Sequence, residues 1–166
     1  MCPRKKETST FGGKGEFFPM VIQSGPGVLY SLLYMSTAQI LFTPARLQEL
    51  LEQSRTNNAR DGITGLLVFR DGAFMQILEG PQPAVQRRFR KIKADERHYA
   101  LVTLSEGPIA QRSFPDWSME FRNLRDTAVR RLPAFEEFVD MPLSPTEFSA
   151  EPALALNLLK VFRDAK

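Results

Sequence analysis

The chain has 166 residues, 43% of them hydrophobic and 25% charged, enough apolar material for one globular domain with its own core. The lone cysteine, Cys2, excludes a disulfide framework and a Cys-rich zinc centre. The net charge is +3, of which residues 1–27 carry +2 (Arg4, Lys5, Lys6 and Lys14 against Glu7 and Glu16), so the remainder is nearly neutral and does not read as a dedicated nucleic-acid binder.

No apolar run reaches the roughly 18 residues of a membrane span. The basic start MCPRKKETST is not followed by the apolar segment of a secretory signal. A cytoplasmic protein with no membrane or nucleic-acid partner is the expectation. Residues 1–27 hold Gly12, Gly13, Gly15, Gly25 and Gly27 with little apolar periodicity, and read as a flexible N-terminal tail. Gly12-Gly13-Lys14-Gly15 lacks the Gly-Lys-Ser/Thr ending of a phosphate loop. Val28 to Ser36 reads as a strand with Tyr30, Leu32 and Tyr34 on one face. Thr43-Pro44 signals a helix start, Thr as N-cap and Pro at the first helical position. Leu47, Leu50, Leu51 and Ser54 form its inner stripe, and fraying is expected near Asn57-Asn58, before a turn at Asp61-Gly62.

Gly62 to Gly80 is the organising stretch: two apolar strands joined at Asp71-Gly72, a strong hairpin signal because a type I′ turn needs positive φ at both positions. That turn pairs Arg70 with Ala73, Phe69 with Phe74 and Leu67 with Gln76. Gln76 then shares an apolar face with Phe74 and Leu78, and a buried amide without partners costs about 1–3 kcal/mol. Something polar must therefore sit over Gln76. A backbone group or a water is the simpler choice, a ligand the sharper one.

Pro83 can open a second helix with Val85, Phe89 and Ile92 inward and Arg87, Arg88, Arg90, Lys91 and Lys93 on its other face, ending at Asp95-Glu96-Arg97-His98. Such a charge run is usually solvated, and only in the minority case does it meet a ligand phosphate. Ala100 to Ser105 is a further strand, Gly107-Pro108 a turn, and Trp117 to Arg122 a last short strand. The order β-α-β-β-α-β-β is an α+β, ferredoxin-like pattern with one added strand, two helices on one face, and the first and third strands as central neighbours. Tyr34 and Gln76 could then lie side by side. Beyond Asn123, prolines at 133, 142, 145 and 152 interrupt any long helix. Phe135, Phe138 and Val139 mark a short helical piece. From Ser149 a better helix carries Leu154, Leu158, Val161 and Phe162 on one side. This C-terminal extension should cover the open sheet face or contact a partner.

The one histidine, His98, has no nucleophile near it in sequence, and no metal-ligand spacing appears. The suggestive set is Tyr34, Asn58, Gln76 and Met119: amides suit the donor–acceptor edge of a heterocycle, and a phenol is both a donor and an oxidisable group.

The blocks LYSLLYMS, SRTNNARDGITGLLVF, DGAFMQILEGP, DERH and PIAQRSFPDWSME, in that order, resemble the BLUF family of blue-light sensors that use FAD. The resemblance spans residues 28–122 and implies a flavin-binding domain there, with the flavin ring between the two helices. It implies that Tyr34 is the electron and proton donor and Gln76 the switching glutamine between tyrosine and flavin. Asn57, Asn58, Arg97 and His98 would contact the cofactor, Leu50 and Ile92 would sandwich the ring, and Trp117 and Met119 would relay the signal into an output segment, 123–166. It further implies a reversible red-shifted state in which Gln76 is rearranged by rotation, tautomerisation or both. No net chemistry and no enzyme activity are expected. The chain resembles short, stand-alone family members, which act on a separate downstream signalling protein or as a homo-oligomer. The competing expectations are a non-photoactive ferredoxin-like regulatory module and, on fold analogy alone, a small acylphosphatase-like hydrolase.

Overall fold

The computed structural model describes residues 27–116, 118–126 and 143–164. The Asp71-Gly72 turn forms as the sequence predicts, with φ of 54° and 83°, and it sets the register of the central hairpin. Strand β2 (Thr64–Arg70) pairs antiparallel with β3 (Ala73–Pro81), and Phe69 faces Phe74 while Leu67 faces Gln76. Strand β1 (Leu29–Ala38) lies on the other side of β3 and places Tyr34 directly opposite Gln76. Strands β4 (His98–Pro108) and β5 (Glu120–Asn123) complete a mixed sheet of order β4-β1-β3-β2-β5, with β5 parallel to β2.

Helix α1 (Pro44–Asp61) starts where Thr43-Pro44 predicts, and the Thr43 hydroxyl accepts the Arg46 N–H. It does not fray at Asn57-Asn58. It continues to Asp61 and stops at Gly62 in the left-handed region (φ 65°), because Asn58 is buried among tertiary partners that outweigh its weak helix propensity. Helix α2 (Gln82–Lys93) follows β3 without a loop. Strand β4 is longer than predicted: Gly107 and Pro108 belong to it, opposite Ser31 and Tyr30. Proline is tolerated there because β4 is an edge strand and the missing N–H falls at its end. The last strand starts at Glu120 rather than near residue 117. Among the described residues the C-terminal part holds two helices, α3 (Pro145–Ala150) and α4 (Pro152–Asp164), so Ser149 lies within the first of them rather than opening the second.

Side chains alternate across the sheet and divide the core in two. Tyr30, Leu32, Tyr34, Leu67, Phe74 and Leu78 pack against Leu47 and Leu51 of α1 and Ala84, Val85 and Phe89 of α2. On the opposite face Leu33, Met35, Leu66, Val68, Met75, Ile77 and Leu104 pack against Phe148 of α3 and Ala155, Leu158, Leu159 and Phe162 of α4. The C-terminal helices thus cover the sheet face that the sequence left open. None of the described helices is long and apolar enough to cross a membrane. The Gly12–Gly15 run, Trp117, and Phe135, Phe138 and Val139 lie outside the described residues.

Candidate flavin site

Between α1, α2 and the sheet lies a cavity of about 370 Å³, within the size range of small-molecule sites. Tyr34, Leu50, Asn57, Asn58, Gln76, Ile92, Arg97 and His98, all chosen from sequence, line it. The helix stripes bring Leu50 and Ile92 to it as apolar walls. The β1–β3 register brings Tyr34 and Gln76 side by side at its floor.

Gln76 is buried and each end of its amide has a partner. The Tyr34 hydroxyl donates to Gln76 Oε1 in a short hydrogen bond, and Gln76 Nε2 donates to Met119 Sδ at 3.1 Å. The polar group required over Gln76 is therefore, within the chain, a phenol on one side and a thioether on the other. Burial pushes the Tyr34 hydroxyl well above the usual phenol range, and the negative charge of Asp95 adds to the shift. Tyr34 thus holds its proton at neutral pH. Its ring meets that of Phe89 at 5.1 Å.

Asn58 donates through Nδ2 to the Ser118 carbonyl at 3.2 Å, and Arg55 donates through Nε to the Met119 carbonyl at 3.1 Å. These two bonds tie α1 to the backbone that carries Met119. At the far side Arg97 forks onto Asp95, with Nε–Oδ1 at 2.9 Å and Nη2–Oδ2 at 2.5 Å. That hydrogen bonding is the main reason the Asp95 carboxyl sits below its ordinary range. His98 is half-buried, and burial lowers its pKa, so the ring is neutral at pH 7.

Sequence reasoning missed several lining groups. Ser36 follows Tyr34 at the strand period, so the alternation already contained it. Phe42 lies just ahead of the helix start and gives no periodic signal. Arg88 and Lys91 belong to the charged run read as solvated, yet both line the cavity, and Arg88 is anchored to Asp61 at 2.6 Å. Their i, i+3 spacing places them on one helix face, which was the available clue.

Three polar atoms on lining residues are buried with no partner among the described residues: Asn58 Oδ1, Arg88 Nε and His98 Nδ1. Each costs about 1–3 kcal/mol if left so. An acceptor, a donor and an imidazole nitrogen, brought together by three different elements, call for a ligand that both donates and accepts. The polar edge of a flavin ring does both, and Leu50 and Ile92 suit its apolar faces, so the residues fit that cofactor.

The profile of one protein family, described as sensors of blue light using FAD (BLUF), matches residues 29–120. The chain belongs to the BLUF family. Among curated BLUF relatives, the photoactivated adenylate cyclase subunit beta of Euglena longa is 33% identical over 102 residues, covering 61% of this chain. The chain spans only 12% of that protein's length. The dark-state structure of the BLUF protein BlrB is similar with a TM-score of 0.63 and 36% identity, covering 78% of this chain and 95% of BlrB. Klebsiella pneumoniae BlrP1, solved with FMN and cyclic diGMP, has a TM-score of 0.58 and 30% identity, covering 78% of this chain and 35% of that one. BLUF domains thus occur both alone and as parts of longer proteins, and the domain itself is a sensor module.

Proposed function

We propose that this protein is a blue-light photoreceptor that binds FAD in the α1–α2 cavity and switches through Tyr34 and Gln76. The observation that carries the reading is the continuous Tyr34–Gln76–Met119 hydrogen-bond chain, which starts on the cavity floor at Tyr34 and Gln76 and leads away from it to Met119. Asn57, Asn58, Arg97 and His98 hold the polar parts of the cofactor, and Leu50 and Ile92 hold its ring. Arg88 and Arg97 are paired with Asp61 and Asp95, and Lys91 on the same wall suits the negatively charged tail of a flavin nucleotide.

A bound flavin supplies blue-light absorption and an excited state that is a strong oxidant. Tyr34 is the transient electron donor. Its hydroxyl already donates to Gln76 Oε1, so the phenolic proton has a path along which to leave with the electron and to return. Gln76 is an amide with a donor end and an acceptor end, and rotation or tautomerisation exchanges which end faces Tyr34. After charge and proton return to Tyr34, the altered Gln76 is what remains. With a flavin bound, Gln76 would be the residue that offers it a stronger hydrogen bond, which would give a red-shifted absorption, and thermal return of Gln76 would restore the dark state. No bond is made or broken in a substrate, and the protein is not an enzyme.

Met119 passes the change on, because a rearranged Gln76 loses or alters its contact with the sulfur. Trp117 acts with it. In this reading residues 28–122 are the flavin-binding unit and 123–166 the output segment, signalling in the cytoplasm to a separate protein or through a homo-oligomer. The test is an absorption spectrum of the purified protein in the dark and under blue light, with the extracted flavin identified as FAD or FMN. A red shift that reverses in the dark is expected. Gln76→Leu and Tyr34→Phe should both bind flavin and lose that shift, and a normal photocycle in either variant removes that residue from the mechanism.

A further inference from the structure

Glu79 lies on β3 three residues beyond Gln76 and on the opposite face, where Met75 and Ile77 belong to the apolar core beneath α4. It is only 1% exposed. A buried carboxylate needs partners. Glu79 Oε2 accepts the main-chain N–H of Ser113 at 2.8 Å and that of Phe114 at 2.9 Å. Burial pushes its carboxyl up, while the two N–H groups and the nearby Arg112 pull it back. Arg112 fastens the same loop a second time, donating to Thr64 Oγ1 at 2.8 Å, to the Glu79 carbonyl at 2.5 Å and to the Gly62 carbonyl at 2.6 Å.

The loop so fastened runs on to Ser118 and Met119, whose carbonyl and sulfur meet Asn58 and Gln76. Its near end also touches the C-terminal helices. Arg163 of α4 donates to the Ser113 carbonyl at 3.2 Å, and the Phe114 ring is buried among Phe148, Leu158 and Phe162. One short loop therefore has the cavity at one end and α4 at the other, and Glu79 holds it to the strand that bears Gln76.

We propose that Glu79 is a positioning residue for the switch: by holding the Ser113–Phe114 backbone to β3 it sets where Met119 meets Gln76, and through Arg163 it places α4 on the same support. The inference rests on the photoreceptor reading above. Its physical basis is that an N–H to thioether bond is weak and short-ranged, so a small shift of the loop breaks it. Two N–H bonds to one carboxylate are charge-assisted and stronger, so the Ser113–Phe114 backbone is held firmly at Glu79.

The test uses the full-length, flavin-loaded protein and four variants: Glu79→Gln, Met119→Leu, the two combined, and Arg163→Met. Red shift, dark-recovery rate and urea midpoint are measured for each. Glu79→Gln keeps shape and loses charge; recovery should change by about threefold or more with flavin retained. In the Met119→Leu background the same change should add nothing to the recovery rate, whereas its effect on the urea midpoint should persist. A merely structural Glu79 would not give that non-additivity. Arg163→Met, at a partly exposed helix position, should alter recovery even if Glu79→Gln does not fold. Unchanged recovery in Glu79→Gln, additive rates in the double variant, or unchanged recovery in Arg163→Met each overturn the proposal. A wild type without any red shift overturns the photoreceptor reading and this inference with it. A normal wild type with unaltered variants overturns this inference alone.

Discussion

Phe162 sits at the centre of the layer beneath the sheet, fully buried among Phe114, Phe148, Leu158 and Leu159. Replacing it by alanine removes a ring that buries roughly 150–250 Å² of mostly apolar surface. At about 25 cal/mol per Å², allowing for the methyl group that stays, this is roughly 3–5 kcal/mol, and observed Phe-to-Ala costs in cores fall in the same range. A domain of this size has a total stability of about 5–15 kcal/mol, so the change removes a large share of it. The melting temperature should fall by roughly 6–20 °C. Urea unfolding followed by far-ultraviolet circular dichroism gives the free energy directly. Leu41→Ser, at a position 82% exposed, is the matched control and should stay within about 0.5 kcal/mol. A loss below about 1 kcal/mol would refute the packing of α4 on the sheet.

Two further outcomes follow from the geometry. At Gly65, an added Cβ would lie 2.0 Å from the Ile77 carbonyl oxygen, which is backbone and cannot step aside. Gly65→Ala should therefore cost more than the about 1–3 kcal/mol typical of overpacking, read as a lost or greatly lowered urea midpoint. His98 holds its pKa below 6.5 through burial, so the folded state binds fewer protons than the unfolded state as pH falls below that value. Stability present above pH ~6.5 is lost as pH drops through the lowered folded pKa. Glu79, pushed up by burial, works in the opposite direction, so the comparison needed is wild type against His98→Gln. The variant should show a flatter fall in urea midpoint between about pH 7 and 5, and parallel curves would show that His98 is not buried in this way.

The legible parts of this molecule were those written in local patterns. Asp71-Gly72 gave the hairpin and hence the pairing of Leu67 with Gln76, because a two-residue turn leaves no freedom of register. Strand order then put Tyr34 beside Gln76, and the helical stripes put Leu50 and Ile92 over them. What was hidden depended on partners far along the chain. Asn58 looked like a helix end because its propensity is local, while the Ser118 carbonyl that holds it lies 60 positions away. Arg55 finds the Met119 carbonyl across a similar span, and nothing near it in sequence signals this. The extension of β4 through Pro108 reflects its place at the sheet edge, which no single-strand pattern discloses. Glu79 did leave a trace: a carboxylate where the alternation of Met75 and Ile77 calls for another apolar side chain.

The alternation along β3 has a consequence for how such a protein changes over generations. Phe74, Gln76 and Leu78 serve the cavity and Met75 and Ile77 serve the other layer, while Glu79, through the Ser113–Phe114 backbone, ties the two together. Substitutions that refashion the surface offered by the C-terminal helices need not disturb colour, and those that tune colour need not disturb the helices. A sheet one backbone thick thereby lets a lineage keep its pigment while exchanging its audience.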